Sequence, residues 1–570
     1  MSSRTEEALA TRRRAKSAAE AQAPDVLFFP ETSRRELLVT LAVFLVSCAY
    51  LRLFRDVMVT DPDEGVALQG AERILRGQVL YRDFFSFMTP GSFYWMALLF
   101  KVFGSSVRVA RTLLIIYGGL FSSFTYLIAR RVSPRWASLA LSYMLLVSML
   151  PFRFQALHNW DSTLWALLAF YSAVLLLQTK CVMWAFAGGT FTAWTFLFEQ
   201  SKGGGLALGL LIAFAWLAYA KPESGFRRPR IWLAAAGGFL WPFFVAIGYW
   251  AHAGALREMW SDVLWPLLHY TGANDMYYGA IFHSYQAWVE VFQNASWVTR
   301  AIEVLVLSPC LVVALLPILA LVALAICISD LISNRLPWKI VSYDLLVSAV
   351  ACGAALSLFV KKRPDVAQMI FVEPLLILVL VWILERRRPI RWLPGAGTPE
   401  LVGVLLLLFT AFGAMFLRGS LLQPLTVKTR RGNLRAEYRN VALAYLMANT
   451  YPGETIFVYP YAANLYFLTD TYSPTQFDYL QPGMHTREQF EKAVRAVERN
   501  RTSLIMYDLG FFTNQVPQSW PFTPPASLAE EPLRNLLISA YRPCAVVGGD
   551  RDRFVAFWRK DLPCPPNPTP

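Results

Sequence analysis

Apolar residues in this chain fall in long unbroken runs rather than at the alternating spacing of half-buried surface elements. The runs lie near 37–57, 108–130, 136–152, 161–178, 182–198, 204–220, 231–250, 302–327, 341–360, 367–384 and 399–417. Runs of ~17–25 apolar residues match the hydrocarbon thickness of a bilayer, so the pattern predicts about eleven membrane-spanning helices. The stretch 90–104 is also apolar, but it is short and contains Pro90 and Gly91. It is read as an interfacial or partly inserted helix, because counting it as a span reverses the side of every later loop. Residues 1–35 are polar and alanine-rich with Arg12, Arg13 and Arg14, and read as a disordered cytoplasmic tail. The first run has no small-residue cleavage site and reads as a retained span.

Charge assigns the sides. The linkers Arg130 to Arg135, Lys180, Lys221 to Arg230, Arg335 to Lys339 and Glu385 to Arg391 alternate with the runs. These short basic linkers belong in the cytoplasm under the positive-inside rule. Residues 58–107, 251–300 and 418–570 then face outside. Two outside loops run against the rule: one holds Arg108 and Arg111, the other Lys361, Lys362 and Arg363. Cations in that position are suited to a phosphate or to anchoring at lipid headgroups.

Composition agrees with a polytopic membrane protein: 56% of the 570 residues are hydrophobic and mean hydropathy is +0.40. The net charge of +14 sits in short runs between spans and points to no nucleic-acid partner. The seven cysteines form no Cys-x-x-Cys pair, which argues against structural zinc. Cys544 and Cys564 can pair in an oxidising compartment.

After residue 417 the pattern changes. Residues 434–450 are helix-like, 455–460 strand-like, and Thr486 with Gln489 forms a capping box for a helix to Arg499. Residues 503–507 and 554–558 read as strands, so a small α/β domain is expected over 418–562. A proline-rich tail occupies 563–570. The membrane domain is placed at 36–417. Gly203-Gly204-Gly205 lacks the flanking strand of a phosphate-binding loop.

The candidate chemistry lies on the outside face. Asp61, Asp63 and Glu64 follow the first span, and Asp161 opens a later one. Carboxylates at the mouths of apolar helices are costly to place. Three acids within four residues exceed the needs of a helix cap, although Asp61 or Asp63 can serve as one. A helix is expected over Val66–Leu75, with Gly77 as its stop. Asp63 is the first candidate base, then Glu64 and Asp161. Arg82, Arg153, Lys362 and Arg363 are candidates for a donor phosphate, with Asp365 holding Arg363. Asp61, Tyr81, His158, Asn159, Tyr270 and Asp365 are candidate substrate contacts. The aromatics of loop 251–300 suit sugar or prenyl stacking and an interfacial belt equally. Such carboxylates can also hold a divalent cation, with Asp63 and Asp161 the residues concerned. A carboxylate-plus-cation cavity open to lipid suits group transfer from a phospholipid-type donor, because no nucleotide sugar is supplied outside the cytoplasm.

Residues 61–104 carry a resemblance. Asp63-Glu64 is followed by Ala71-Glu72-Arg73-Ile74-Leu75-Arg76-Gly77, then Tyr81-Arg82-Asp83, Thr89 to Tyr94 and Phe103-Gly104. This order resembles the GT-C superfamily of glycosyltransferases, in particular the bacterial protein O-mannosyltransferase and aminoarabinose transferase group. The likeness extends in pattern over 36–417, and 454–470 is similar to the start of that family's outer domain. It implies a GT-C-like fold of about eleven spans with juxtamembrane helices, in a bacterial inner membrane with a cytoplasmic N-terminus. It also implies a polyprenyl-phosphate sugar donor and a lipid, glycan or protein acceptor. The family's catalytic first-loop acid matches Asp63, the acid of a later outside-facing span Asp161, and the phosphate-contacting basic residue Arg363. Where many relatives have a lysine after the fifth span, this chain has Glu199-Gln200-Ser201-Lys202, and Lys202 is the candidate replacement.

Other classes remain open from the residues alone. A transporter or flippase of lipid-linked or polyanionic substrates is expected to show inverted repeats or broken helices in matching positions. A polysaccharide polymerase or ligase shares the lipid-linked donor, and a structural membrane subunit has no use for the outside acids.

Overall fold

The computed structural model describes residues 34–58, 62–131, 133–221, 225–270, 273–280, 293–333, 338–382, 398–529, 532–548 and 553–565. Asp61, His283, Tyr285, Trp288 and the N-terminal tail to residue 33 lie outside them.

The chain is a polytopic, largely helical membrane protein. Its helices are α1 (Arg34–Leu51), α2 (Asp63–Leu75), α3 (Gly91–Phe103), α4 (Val107–Ala129), α5 (Arg135–Ser148) and α6 (His158–Thr179). There follow α7 (Val182–Phe198), α8 (Gln200–Ala220), α9 (Pro229–His252), α10 (Leu256–Trp265), α11 (Trp297–Ser333) and α12 (Trp338–Val360). Short helices α13 (Val366–Met369), α14 (Glu373–Leu376) and α15 (Leu378–Trp382) precede α16 (Thr398–Leu421).

Seven described helices are long and apolar enough to cross a membrane: α4, α6, α8, α9, α11, α12 and α16. The other four expected spans form shorter or more charged helices. The run 37–57 gives α1, whose 18 residues begin Arg34-Arg35-Glu36. The runs 136–152 and 182–198 give α5 and α7, of 14 and 17 residues. The run 367–384 breaks into α13, α14 and α15, because Asp365 caps one turn and Pro374 starts the next without an amide donor. Helix α3 is a 13-residue apolar segment over the stretch expected as an interfacial or partly inserted helix, and it ends at Gly104 with φ 85°.

Beyond α16 the chain forms a small α/β region. A hairpin pairs β1 (Leu425–Thr429) with β2 (Gly432–Ala436). Then come α17 (Val441–Asn449), β3 (Phe457–Tyr459), α18 (Ala463–Thr469), α19 (Arg487–Arg499) and β4 (Leu504–Asp508). The remaining elements are α20 (Val516–Ser519), α21 (Pro525–Ala529), α22 (Arg534–Ala540), β5 (Tyr541–Val547) and β6 (Phe554–Arg559). The sheet order is β3-β4-β6-β5, parallel between β3 and β4 and antiparallel elsewhere. Thr486 and Gln489 make the expected reciprocal capping box on α19. The helix expected over 434–450 begins only at Val441, because residues 432–436 are taken into the hairpin. Cys544 and Cys564 are paired.

Helix α2 joins the two parts. Its Gly65 lies so close to the start of α18 that a Cβ would fall 2.0 Å from the amide nitrogen of Asn464. Arg73 donates to Asp478 at 2.9 Å and to the Thr475 carbonyl at 2.9 Å, with Arg73 and Asp478 both buried. Arg431 bridges Glu72 at 3.0 Å and Asp470 at 2.7 Å. The Met58 amide donates to the Arg435 carbonyl and the Arg435 amide to the Asp56 carbonyl, which ties β2 to the segment after α1. Buried charges must be paired, and the pairs here fix the α/β region to the last turn of α2.

Candidate active site

The acids that open α2 point in different directions. Pro62 takes the position before the first helical turn and offers no side-chain cap, so Asp63 is the first helical residue. The Asp63 carboxylate accepts a hydrogen bond from Arg153 Nη2 at 2.7 Å and another from the Tyr461 hydroxyl. Its side chain is 32% exposed. Tyr461 follows β3 and packs edge-on against Tyr479 and Trp520 at 5.1 and 5.5 Å. Asp63 therefore lies at the seam between the membrane bundle and the α/β region.

Glu64 is buried and fully engaged. Arg111 Nε donates to it at 2.9 Å and Nη2 at 2.6 Å, in a two-pronged pair, and the Ala156 amide donates at 2.9 Å. Arg111 also donates to the carbonyls of Arg55 and Val57. Of the two cations in the first loop that broke the charge rule, Arg111 is thus an internal partner. The other, Arg108, pairs with Asp56 at 3.3 Å on the surface.

Asp161 lies in the first turn of α6, which begins at His158. Its carboxylate reaches sideways, accepting from Ser92 Oγ at 2.5 Å and the Tyr117 hydroxyl at 2.8 Å. Trp95 Nε1 donates to the same Tyr117 hydroxyl at 2.9 Å. Asp161 thereby joins α3, α4 and α6 rather than capping its own helix.

A fourth acid forms the centre of a buried cluster. Glu199, between α7 and α8, contacts Lys361 Nζ at 2.7 Å and Lys202 Nζ at 3.0 Å. Asn159 Nδ2 and Ser162 Oγ donate to it at 3.2 and 2.9 Å. Lys202 also donates to the Asn159 carbonyl, Ser162 Oγ and Thr163 Oγ1, and is fully enclosed. The two lysines outweigh the desolvation of Glu199 and hold its carboxyl well below the usual range. Arg363 donates to Asp365 at 2.8 Å, to Asn274 Oδ1 at 3.1 Å and to the Ser519 carbonyl at 3.0 Å. Asn274 in turn donates to the Lys361 carbonyl at 3.2 Å, so the turn 361–365 runs from Glu199 to the underside of the α/β region. Phe371 lies beside Arg153, 5.6 Å from its guanidinium, and against Trp160 at 4.4 Å.

The remaining candidates divide. Arg153, Asn159 and Arg363 belong to this connected set, and His158 starts the helix that carries Asn159. Asp365 caps α13 as well as holding Arg363. Lys362 is 45% exposed and lies 3.9 Å from Asp275. Arg82 is 44% exposed and spends its guanidinium on Asp83 and the Ala253 carbonyl. Tyr81 is buried against Trp250, with its hydroxyl on the Met88 carbonyl. Tyr270 ends the π-helical turn that follows α10. Tyr461, Ser92 and Tyr117 carry no distinguishing sequence signal, and they enter the site only through folding.

Among the described residues no group of three or more His, Cys, Asp or Glu side chains converges as a metal site. A guanidinium and a phenol are among the contacts of Asp63, and Asp161 accepts from two hydroxyls.

No protein-family model matches the sequence, and no curated protein matches it. Among solved structures, ArnT from Cupriavidus metallidurans bound to undecaprenyl phosphate is similar at a TM-score of 0.50 and 12% identity, over 93% of this chain and 98% of that one. The apo form of ArnT gives 0.44 and 13%, over 92% and 98%. The arabinosyltransferase EmbB from Mycobacterium smegmatis gives 0.34 and 14%, over 73% and 44%. At such identities the likeness is one of fold, carried by the first of these.

Proposed function

We propose that this protein is a membrane glycosyltransferase that moves a sugar from a polyprenyl-phosphate donor to a lipid, glycan or protein acceptor on the extracytoplasmic face. The observation that carries the reading is the Asp63 carboxylate: partly open at the seam of bundle and α/β region, and oriented by Arg153 and Tyr461. ArnT, whose fold the chain shares, has been crystallised bound to undecaprenyl phosphate. The disulfide Cys544–Cys564 suits an oxidising compartment, which agrees with an α/β region outside the cytoplasm.

In this reading Asp63 takes the proton of the acceptor hydroxyl or amine as its oxygen or nitrogen bonds to the sugar C1. The bond from C1 to the phosphate oxygen breaks, and the electron pair leaves with the polyprenyl phosphate. Arg153, Lys361 and Arg363 meet the charge that develops there, with Arg82 and Lys362 at the exposed rim. Glu64 and Asp161 act as positioning residues, since their oxygens are committed to Arg111 and the Ala156 amide, and to Ser92 and Tyr117.

The test is transfer of a radiolabelled sugar from polyprenyl-phosphate donors to a membrane extract, by purified protein in lipid. Transfer by the wild type and not by folded Asp63→Asn is the expected result. Turnover unchanged in that variant removes Asp63 as the base. A folded wild type that neither binds nor turns over any such donor overturns the enzyme reading.

A further inference from the structure

Small-residue crossings decide how helices α7, α8, α9 and α12 pack. Helix α8 meets α12 where Gly205 and Gly353 face each other, and a Cβ on either would lie 2.1 Å from the other's carbonyl oxygen. Helix α9 meets α7 through Gly189 and Gly238, where an added Cβ would fall 2.1 Å from the carbonyls of Ala235 and Phe186. Small residues let backbones approach this closely within a bilayer. The consecutive helices α8 and α9 are thus held to different neighbours.

Between them lies a cavity of 310 Å³, lined among others by Leu176, Trp184, Gly188, Ala207, Phe214 and Phe226. Apart from Thr192 and two indoles, its side chains are hydrocarbon. At its rim the chain leaves α6 through Lys180, whose ammonium lies 3.5 Å from the centre of the Phe226 ring. Lys180 is half-buried and has no carboxylate partner among the described residues. Burial pushes its ammonium down to about 8. The exposed Arg227 and Arg228 follow Phe226 directly, and Arg227 Nε donates to the Ala218 carbonyl at the end of α8.

We propose that this cavity is a binding site for an anionic phospholipid of the leaflet on the basic-linker side, with an acyl chain inside and the phosphate against Lys180, Arg227 and Arg228. An apolar cavity in a bilayer protein excludes water and accepts hydrocarbon. A half-buried ammonium with no carboxylate partner among the described residues gains from a phosphate, and more from an anionic headgroup than from one that carries its own amine. The site is separate from the candidate active site. Helix α6 holds Asp161 in its first turn and ends at Lys180, and its 22 residues span ~33 Å.

Native mass spectrometry of the full-length protein tests this, with phosphatidylglycerol, phosphatidylethanolamine and undecaprenyl phosphate as probes. The wild type is expected to retain phosphatidylglycerol in preference to phosphatidylethanolamine. Lys180→Ala is expected to lower that preference about fivefold. Gly188→Leu, whose Cβ has room at 3.7 Å from Ser172, fills the cavity and is expected to abolish retention. Equal retention of the two phospholipids by the wild type, or a preference unchanged by Lys180→Ala, overturns the proposal. So does displacement of phosphatidylglycerol by undecaprenyl phosphate in a Lys180-dependent manner, which assigns the cavity to a prenyl tail. If Gly188→Leu fails to fold, the Lys180 variant and the lipid competition still decide.

Discussion

Asp63 and Glu64 are adjacent, both meet an arginine, and the two regions around them are built for opposite ends. Around Glu64 the carboxylate is buried, both oxygens are taken by Arg111, and a backbone amide closes the shell. Around Asp63 one guanidinium and one phenol hold a carboxylate that stays a third exposed. A buried pair with both carboxylate oxygens engaged has little left for a substrate and a large penalty for losing a partner. An exposed, oriented carboxylate has the reverse profile. A helix start separates the two: its turn sends Asp63 toward the α/β region and Glu64 into the bundle.

The comparison breaks most clearly by neutralising each acid. Asp63→Asn is expected to lower transfer by about 10²- to 10⁴-fold, the range of a lost general base, with the melting temperature unchanged. Glu64→Gln leaves Arg111 buried without its counter-charge. It is expected to cost ~3–5 kcal/mol of stability, read by thermal melting, and Glu64→Gln with Arg111→Met is expected to recover part of that loss. Equal melting of the two single variants would erase the distinction.

The α/β region can be loosened with pH. His485 is buried among Phe85, Phe477 and Tyr479, and Tyr479 stacks edge-on with Tyr461. Burial lowers its pKa from 6.5 to about 4, so the unfolded chain binds the proton more readily between those values. Stability therefore falls as pH drops from about 6.5 to about 4, by about 3 kcal/mol in all. Near-UV circular dichroism of thermal melts should show this slope, and His485→Leu should flatten it. The smallest effect is expected from Tyr461→Phe, which removes one hydrogen bond from Asp63. Transfer should drop roughly tenfold while stability holds. A fall as large as that of Asp63→Asn would make Tyr461 a partner in proton transfer rather than in orientation.

Much of the bundle was legible because apolar runs and basic linkers act locally. Long runs such as 108–130 and 302–327 became α4 and α11 within a few residues at either end. The run 367–384 misled because hydropathy counts side chains and ignores the amide that Pro374 lacks. The hairpin 425–436 was missed because its residues pair with each other and with the segment after α1, a partner more than three hundred residues away. Among site residues, Asp63 stood out as an acid at a span mouth and Arg363 as a cation against the charge rule; Asp63 meets Arg153, and Arg363 is tied to Asp365 and Asn274. Glu199 stood out only as a departure from a pattern, and Tyr461 not at all.

The sequence by itself determined that the chain is a multi-pass membrane protein with an α/β segment near its end, because bilayer thickness and strand or helix periodicity leave their mark residue by residue. Which acid stays partly open to solvent was decided by tertiary structure alone. Arg111, Arg153, Ser92, Tyr117 and Tyr461 come from separate elements, and a carboxylate's availability depends on the donors that reach it in space rather than on its neighbours along the chain.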